Sequence, residues 1–401
     1  MTSAGTRNRR IDLIRGISIL LVLFHHFNIA YHLNDTLLAS VVGWDAVRAV
    51  ARNGNYGVTM FFVISGYLIT TNADRRWSAL GTIDARAFYG LRIARIVPCL
   101  LLLLVAVNAF ASAGVAIFQN HSPAGTPVSF WLVNLASLTF WMNVLIGTHG
   151  WVNYPLGVLW SLSVEEVFYL SFPILCLVLR RESRLLSFWF AIIVIGPVYR
   201  FVHQGDEGDF LYAYLACFDG IAIGCCTALL AKRMALKSRT RMVLQLLAVA
   251  AMTFVYLYRP IGQSNVMGVT AMAMGTAVLL LTTHNRPEEP PCRRPRVSAV
   301  FGWFGRLSYE FYLFHLIVLG MLRTMFPPSI VAGDEKLILL AAFLLLSAGL
   351  SVSIARLYAE PLNRNIRRLL AARFFPSANR CLNSGFCESN LDGSKVSSPD
   401  V

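Results

Sequence analysis

His26, His315 and two adjacent carboxylates stand inside apolar stretches of this chain. His26 falls in a run from 11 to 31, Glu165 and Glu166 in one from 157 to 179, and His315 in one from 301 to 326. A charged side chain in hydrocarbon costs roughly 2.5–3.5 kcal/mol on insertion scales, so each calls for a partner or a use. Imidazole and carboxylate together can take a proton from a weak nucleophile and hold the charge that follows.

Spacing decides which of them share a face. His26 lies eleven residues after Arg15, about 16 Å along a helix axis and close to three turns, so the two share a face at different depths. Asp12, three residues before Arg15, gives a plainer reading at that end, a local ion pair with a snorkelling arginine. Glu165 and Glu166 point about 100° apart, so only one can face a given partner squarely, and Glu165 is expected to be that one. Ser308, Tyr312 and His315 recur at i, i+4 and i+7 as a single polar stripe on an apolar helix. His315 then sits about 21 Å from the entry of its helix, at a depth similar to His26 and Glu165. Arg92 and Arg95 share a face at a helix boundary, where ordinary positive-inside anchoring competes with a guanidinium clamp for a phosphate-bearing ligand.

The elements that carry these residues follow from composition and charge. Of 401 residues 56% are hydrophobic and 14% charged, far fewer charges than the quarter or so of a soluble domain, and the mean hydropathy is +0.58. The net charge of +14 does not imply nucleic acid, because the basic residues fall in short clusters between apolar runs. Eleven apolar runs approach the roughly 20 residues of a spanning helix. With the N-terminal Arg7, Arg9 and Arg10 inside, a full span at 129–147 would put every later basic loop outside. Treated as re-entrant or surface-lying, that segment brings Arg180 to Arg184, Lys232 to Arg241, Arg286 to Arg296 and Arg364 to Arg373 all inside, and Asp206, Glu207 and Asp209 outside. The chain is therefore predicted to be an all-α polytopic membrane bundle of about ten transmembrane helices with one re-entrant or surface segment. Residues 1–370 form the membrane domain and 371–401 a polar, disordered cytoplasmic tail, both termini being cytoplasmic. The Pro-rich stretch 287–295 reads as a cytoplasmic loop. Eight cysteines show no metal spacing, and no metal site is expected.

The same residues resemble the acyltransferase 3 family of membrane O-acyltransferases. Arg15 and His26 match its first-span signature, and the block from Phe61 through Ser65, Gly66 and Tyr67 its second. Arg92 and Arg95 before Pro98 resemble its paired arginines, and Trp160 through Glu165 to Tyr169 its carboxylate block. Leu307 to His315, with Glu360 and Pro361, are similar to its late motifs. Six such blocks in order, over about 11 to 370, make the resemblance specific. It implies a bacterial inner-membrane enzyme moving an acyl group, most often acetyl, from cytoplasmic acyl-coenzyme A to a hydroxyl of a carbohydrate. Exopolysaccharide or lipopolysaccharide are the type of acceptor. It also implies that Arg92 and Arg95, with Arg15, meet the coenzyme A.

On that reading His26 acts as general base or acyl carrier and Glu165 orients it. Tyr312 and His315 reach the acceptor or an oxyanion, and Asp12, Glu166, Tyr169 and Ser308 support them. The partners implied are acyl-coenzyme A, a carbohydrate, the bilayer and, because members fused to a hydrolase-like domain finish transfer there, a separate extracytoplasmic transferase. Two positions depart from the family pattern: Thr59 stands where an acidic residue is common, and Glu310 where a small or neutral one is. A non-catalytic exporter of a polar metabolite would also need charge at depth; its usual internal repeat is not visible in the sequence.

Overall fold

A computed structural model describes residues 8–283 and 296–374. Among them there is no strand, only one isolated bridge between His121 and Pro127. Helix α1 (Arg9–Ala30) begins behind Asn8, whose side chain accepts from the Arg10 N–H and satisfies one of the free donors of the first turn. Two short helices, α2 (Leu37–Val42) and α3 (Trp44–Ala51), turn the chain at the far end of α1, and α4 (Asn55–Trp77) runs back along it. Helix α5 (Ala85–Ser112) is capped by Asp84, which accepts from the N–H groups of Arg86 and Ala87.

The segment predicted to be re-entrant or surface-lying forms α6 (Phe130–Leu138) and α7 (Met142–His149), of nine and eight residues. The turn between them passes through Phe140 at φ 61°, and neither helix is long enough to cross a bilayer. The bundle continues with α8 (Leu159–Leu179), α9 (Glu182–Val202), α10 (Glu207–Tyr212), α11 (Tyr214–Ala231), α12 (Ser238–Tyr258) and α13 (Ile261–Thr283). It closes with α14 (Arg296–Arg306), α15 (Ser308–Met325), α16 (Glu335–Ile354) and α17 (Glu360–Phe374).

Among the described residues eight stretches are long and apolar enough to cross a membrane. They are α1, α5, α8, α9, the α10–α11 unit, α12, α13 and the α16–α17 unit, so the protein is an integral membrane protein. The remaining two predicted spans are α4, of 23 residues, and the run over α14 and α15. They are less apolar because they carry Asn72, Arg75, Ser308, Glu310 and His315. The run 301–326 is broken at Leu307, so the polar stripe starts at the first residue of α15.

The burial pattern inverts that of a soluble bundle. On α12 only Ala248, Met252 and Tyr256, spaced four apart, are buried, while Leu246 and Phe254 lie 64% exposed, as suits a helix with one face on protein and the rest toward lipid. Close crossings are made by small residues. A Cβ on Gly66 of α4 would lie 2.0 Å from the Ile221 carbonyl oxygen of α11, and one on Gly224 of α11 2.1 Å from that of Val63. Gly16 on α1 and Gly305 on α14 make a similar pair.

Arg200 of α9 and Asp219 of α11 are fully buried and bonded at 2.8 Å, with Thr270 of α13 donating to the same carboxylate and the Ala216 carbonyl accepting from the guanidinium. This junction joins α9, α11 and α13. Helix α17 reaches Phe374, past the boundary at 370 predicted for the membrane domain; residues 375–401 of the predicted tail and the predicted loop 287–295 lie outside the described residues.

Candidate active site

Helices α1, α4, α5, α8, α15 and α17 line a cavity of about 1160 Å³. One end is cationic. Arg15 enters it from the second turn of α1, Arg75 and Arg76 from the last turn of α4, Arg92 and Arg95 from α5, and Arg367 from α17. Helix periodicity explains the grouping: α1 and α5 begin at this end and α4, running the other way, finishes there. Guanidinium groups gathered on one cavity wall repel one another and suit an anion with several oxygens. Trp77 and Phe88 line the same end and offer flat apolar surface.

Further in, a carboxylate is held among hydroxyls. Glu165 accepts from Ser65 of α4 and from Tyr169, one turn along its own helix α8. The Ser65 and Tyr169 oxygens are themselves 2.5 Å apart. The Arg92 guanidinium lies over the Tyr169 ring, 3.5 Å from its centroid, which ties the cationic end to the carboxylate. Glu166 does not line the cavity; it is buried at 6% exposure, and its Oε1 has no hydrogen-bond partner. Ser308 lines the wall with its hydroxyl unpaired. Glu310, one of the two departures from the family pattern, is half-buried within the electrostatic reach of Arg95 and Arg15. Thr59, the other, is buried and donates to the Asn55 carbonyl.

At the far end the wall is Tyr312, Phe61 and Ser161. Tyr312 hydroxyl and Ser161 Oγ are 2.6 Å apart, and the Phe61 and Tyr312 rings meet edge to face at 6.3 Å. Ser161 is one turn before Glu165 on α8. Behind Tyr312 lie the two histidines. The His315 ring is 6.1 Å from that of Tyr312 and 5.0 Å from that of His26, and His315 Nε2 is 3.2 Å from His26 Nδ1. His25 stands beside them, 5.5 Å ring to ring from His26 and bonded to the Ala51 carbonyl at 2.7 Å.

Most of the expected residues sort into two groups, with Glu166 and Asp12 outside both. Arg15, Arg92, Arg95, Glu165, Tyr169, Ser308 and Tyr312 share one cavity. His26 and His315 pair with each other just beyond it, Glu166 is buried off its wall, and Asp12 is buried beside the crossing of α1 and α14. The direct contact expected between His26 and Glu165 is not formed. Glu165 is engaged by Ser65 and Tyr169, and His26 by His315, because α15 inserts Tyr312 between α8 and α1.

Spacing does not single out Ser65, Ser161, Arg75, Arg76 or Arg367 as lining residues. Ser65 occurs in an apolar helix where a serine reads as a small packing residue, and Arg367 lies about 270 to 350 residues along the chain from the arginines it joins. Arg200 and Asp219 did carry a signal, a charge inside an apolar run, but no spacing to pair them. Among the described residues no group of three His, Cys, Asp or Glu side chains could hold a metal ion.

Residues 8–356 match the family described as "Acyltransferase domain". The chain is similar to the peptidoglycan O-acetyltransferase OatA of Listeria monocytogenes, 29% identical over 43% of this chain and 24% of that protein. It is also similar to nodulation protein 10 of Rhizobium leguminosarum bv. viciae, 30% identical over 48% of this chain and 51% of that protein. The chain therefore spans about half or less of the length of these relatives. No solved structure matches it.

Proposed function

The chain belongs to the acyltransferase family, matched over nearly its whole described length, and from that premise we propose that it moves an acyl group, acetyl in the first instance, from acyl-coenzyme A to a hydroxyl of a cell-surface carbohydrate. The observation that carries this reading is one cavity with guanidinium groups at one end and, across the Tyr312 wall at the other, a pair of imidazoles. A donor with phosphates at one end and a thioester at the other has that polarity. Its phosphates go to Arg92 and Arg95, its pantetheine arm past Arg15, and its thioester toward Tyr312. The acceptor approaches from the opposite end of the bundle. The basic loops favour a cytoplasmic face for the arginine end, and the proposed membrane is the bacterial inner one.

His26 takes the proton of the acceptor hydroxyl as its oxygen attacks the thioester carbonyl. The carbon–sulfur bond then breaks, and coenzyme A leaves as a thiolate that regains the proton from the His26 imidazolium, so the ring returns neutral. The hydroxyls of Tyr312 and Ser161, which share the Val158 carbonyl as the structure stands, would turn toward a carbonyl oxygen gaining charge to act as its donors. Glu165, held by Ser65 and Tyr169, fixes Tyr169 under Arg92 and so sets the position of the phosphate clamp. The name of the Listeria relative, a peptidoglycan O-acetyltransferase, favours an O-acetyl product and, for that protein, a peptidoglycan acceptor. A separate partner on the outer face could pass the group on.

The test is purified protein in lipid nanodiscs given acetyl-coenzyme A and a glycan extract, read by release of free coenzyme A thiol and by mass spectrometry of the glycan. Thiol release that depends on the extract, absent in His26→Ala of unchanged elution profile, is the expected result. Wild-type turnover in that variant removes His26 from the reaction, and transport of the glycan into sealed proteoliposomes with no thiol released would mark an exporter instead.

A further inference from the structure

The histidine pair has a protonation pattern written into the backbone around it. His315 is fully buried, and its Nδ1 lies 2.9 Å from the carbonyl oxygens of both Phe311 and Tyr312. A carbonyl oxygen only accepts, so Nδ1 must carry the hydrogen, and a neutral imidazole then keeps its lone pair on Nε2. That lone pair faces His26 Nδ1 at 3.2 Å. His26 Nδ1 also has the Val22 carbonyl at 3.1 Å, a second acceptor on the same nitrogen. Every neighbour of His26 Nδ1 is thus an acceptor, and the hydrogen of His26 sits there. The lone pair of His26 is left on Nε2, the nitrogen turned away from His315.

From this we infer that His315 is a positioning residue that locks His26 in its Nδ1–H form, so that Nε2 is the nitrogen that meets the acceptor hydroxyl. The inference rests on the proposed function for what Nε2 does, and on the hydrogen-bond geometry alone for which nitrogen is free. His315 thereby takes the part given to Glu165 on the sequence pattern, with an imidazole in place of a carboxylate. When His26 gains a proton at Nε2 it becomes a cation whose Nδ1–H donates to a neutral acceptor, a charge-assisted bond stronger than the one in the resting state. Three carbonyls on two helices, those of Val22, Phe311 and Tyr312, leave this the arrangement with no opposed hydrogens. The other titratable groups facing the pair are His25 on α1, whose own Nδ1 is turned to the Ala51 carbonyl, and Tyr312 on α15, whose hydroxyl is engaged by Ser161 and the Val158 carbonyl.

Nitrogen-15 NMR of histidine-labelled protein in nanodiscs reads the pattern without any turnover. The signals lost in His26→Gln identify that ring, and they are expected at the positions of a protonated Nδ1 and a lone-pair Nε2. Two replacements then separate positioning from bulk structure. His315→Gln keeps an oxygen able to accept from Nδ1–H, and is expected to retain the tautomer and turnover within about tenfold of wild type. His315→Phe fills the space with no acceptor; it is expected to give mixed His26 tautomers and a kcat lower by about 100-fold or more, with KM for acetyl-coenzyme A nearly unchanged.

A His26 ring protonated at Nε2 in the wild type would overturn the inference, as would His315→Phe with wild-type kcat. Should His315→Phe fail to fold, the wild-type tautomer and the glutamine variant still decide. If instead His26→Ala proves fully active while the tautomer is as described, the proposed role of His26 fails and the pairing stands.

Discussion

Gly66→Ala tests whether the site depends on how closely α4 lies against α11. The added Cβ would sit 2.0 Å from the Ile221 carbonyl oxygen, 2.9 Å from its carbon and 3.1 Å from the Cys225 nitrogen, all of them backbone atoms. Backbone cannot rotate away as a side-chain end can. Real Cβ atoms essentially never come within 3.0 Å, so the two helices must part by about 1 Å locally. Overpacking of that kind costs about 1–3 kcal/mol.

Ser65, the neighbouring residue, moves with the backbone, and its hydroxyl is shared between Glu165 and Tyr169 on α8. A 1 Å misplacement of a positioning group is worth up to about 100-fold in rate. Thermal unfolding in detergent and thiol release from acetyl-coenzyme A, measured on the same preparation, should therefore fall together. Gly349→Ala on α16 is the control, because nothing lies within 4 Å of its Cβ. There the usual helix preference for alanine predicts a gain of about 0.5–1 kcal/mol and unchanged turnover. Gly66→Ala with wild-type melting and wild-type rate would show that the crossing is not tight, and the argument from Ser65 would go with it.

Three further outcomes follow from the same geometry. Tyr169→Phe removes the hydroxyl bound to Glu165 and Ser65 while leaving the ring under Arg92; a hydrogen bond to a charged group is worth about 1.5–3 kcal/mol, so kcat/KM for acetyl-coenzyme A should drop roughly 10- to 100-fold with a raised KM, and a wild-type KM would refute the assignment. Arg200→Met leaves Asp219 buried without its cation and should destabilise by about 3–5 kcal/mol, with Arg200→Met/Asp219→Leu regaining much of it; equal loss in both variants would mean that size, not charge, matters there. Asp35, outside the spans, is bonded to Lys336 at 2.5 Å and to the Gly333 N–H, and these contacts hold its carboxyl below the usual range. Its contribution is therefore present above about pH 4 and lost as pH falls through the lowered folded-state value. With the Asp35 side chain 39% exposed, screening limits it to about 1 kcal/mol or less. The melting difference between wild type and Asp35→Asn should shrink on acidification, and an identical difference at pH 3 and pH 7 would count against the pair.

Much of the architecture is legible along the chain. Runs of apolar residues near 20 in length are helices in lipid because no other backbone arrangement satisfies its own hydrogen bonds there, and most predicted runs coincide with helices to within a few residues. The segment 129–147 was decided by the signs of distant loops, and it does form two helices too short to span. The i, i+4, i+7 stripe of Ser308, Tyr312 and His315 describes one face of α15, since helical period fixes the direction of each Cβ. What period leaves open is the neighbour that each face meets.

By itself, then, the sequence determined a polytopic helical membrane protein of this acyltransferase family, and which side chains on each helix turn inward. Only the tertiary structure decided the pairings. Equal depth along the membrane normal made His26, Glu165 and His315 look like one cluster, but depth is a single coordinate, and position around the bundle is set by which glycines let which helices touch. That second coordinate separates Glu165, among Ser65 and Tyr169, from His26 against His315, and carries Arg367 from the end of the chain to arginines near its start.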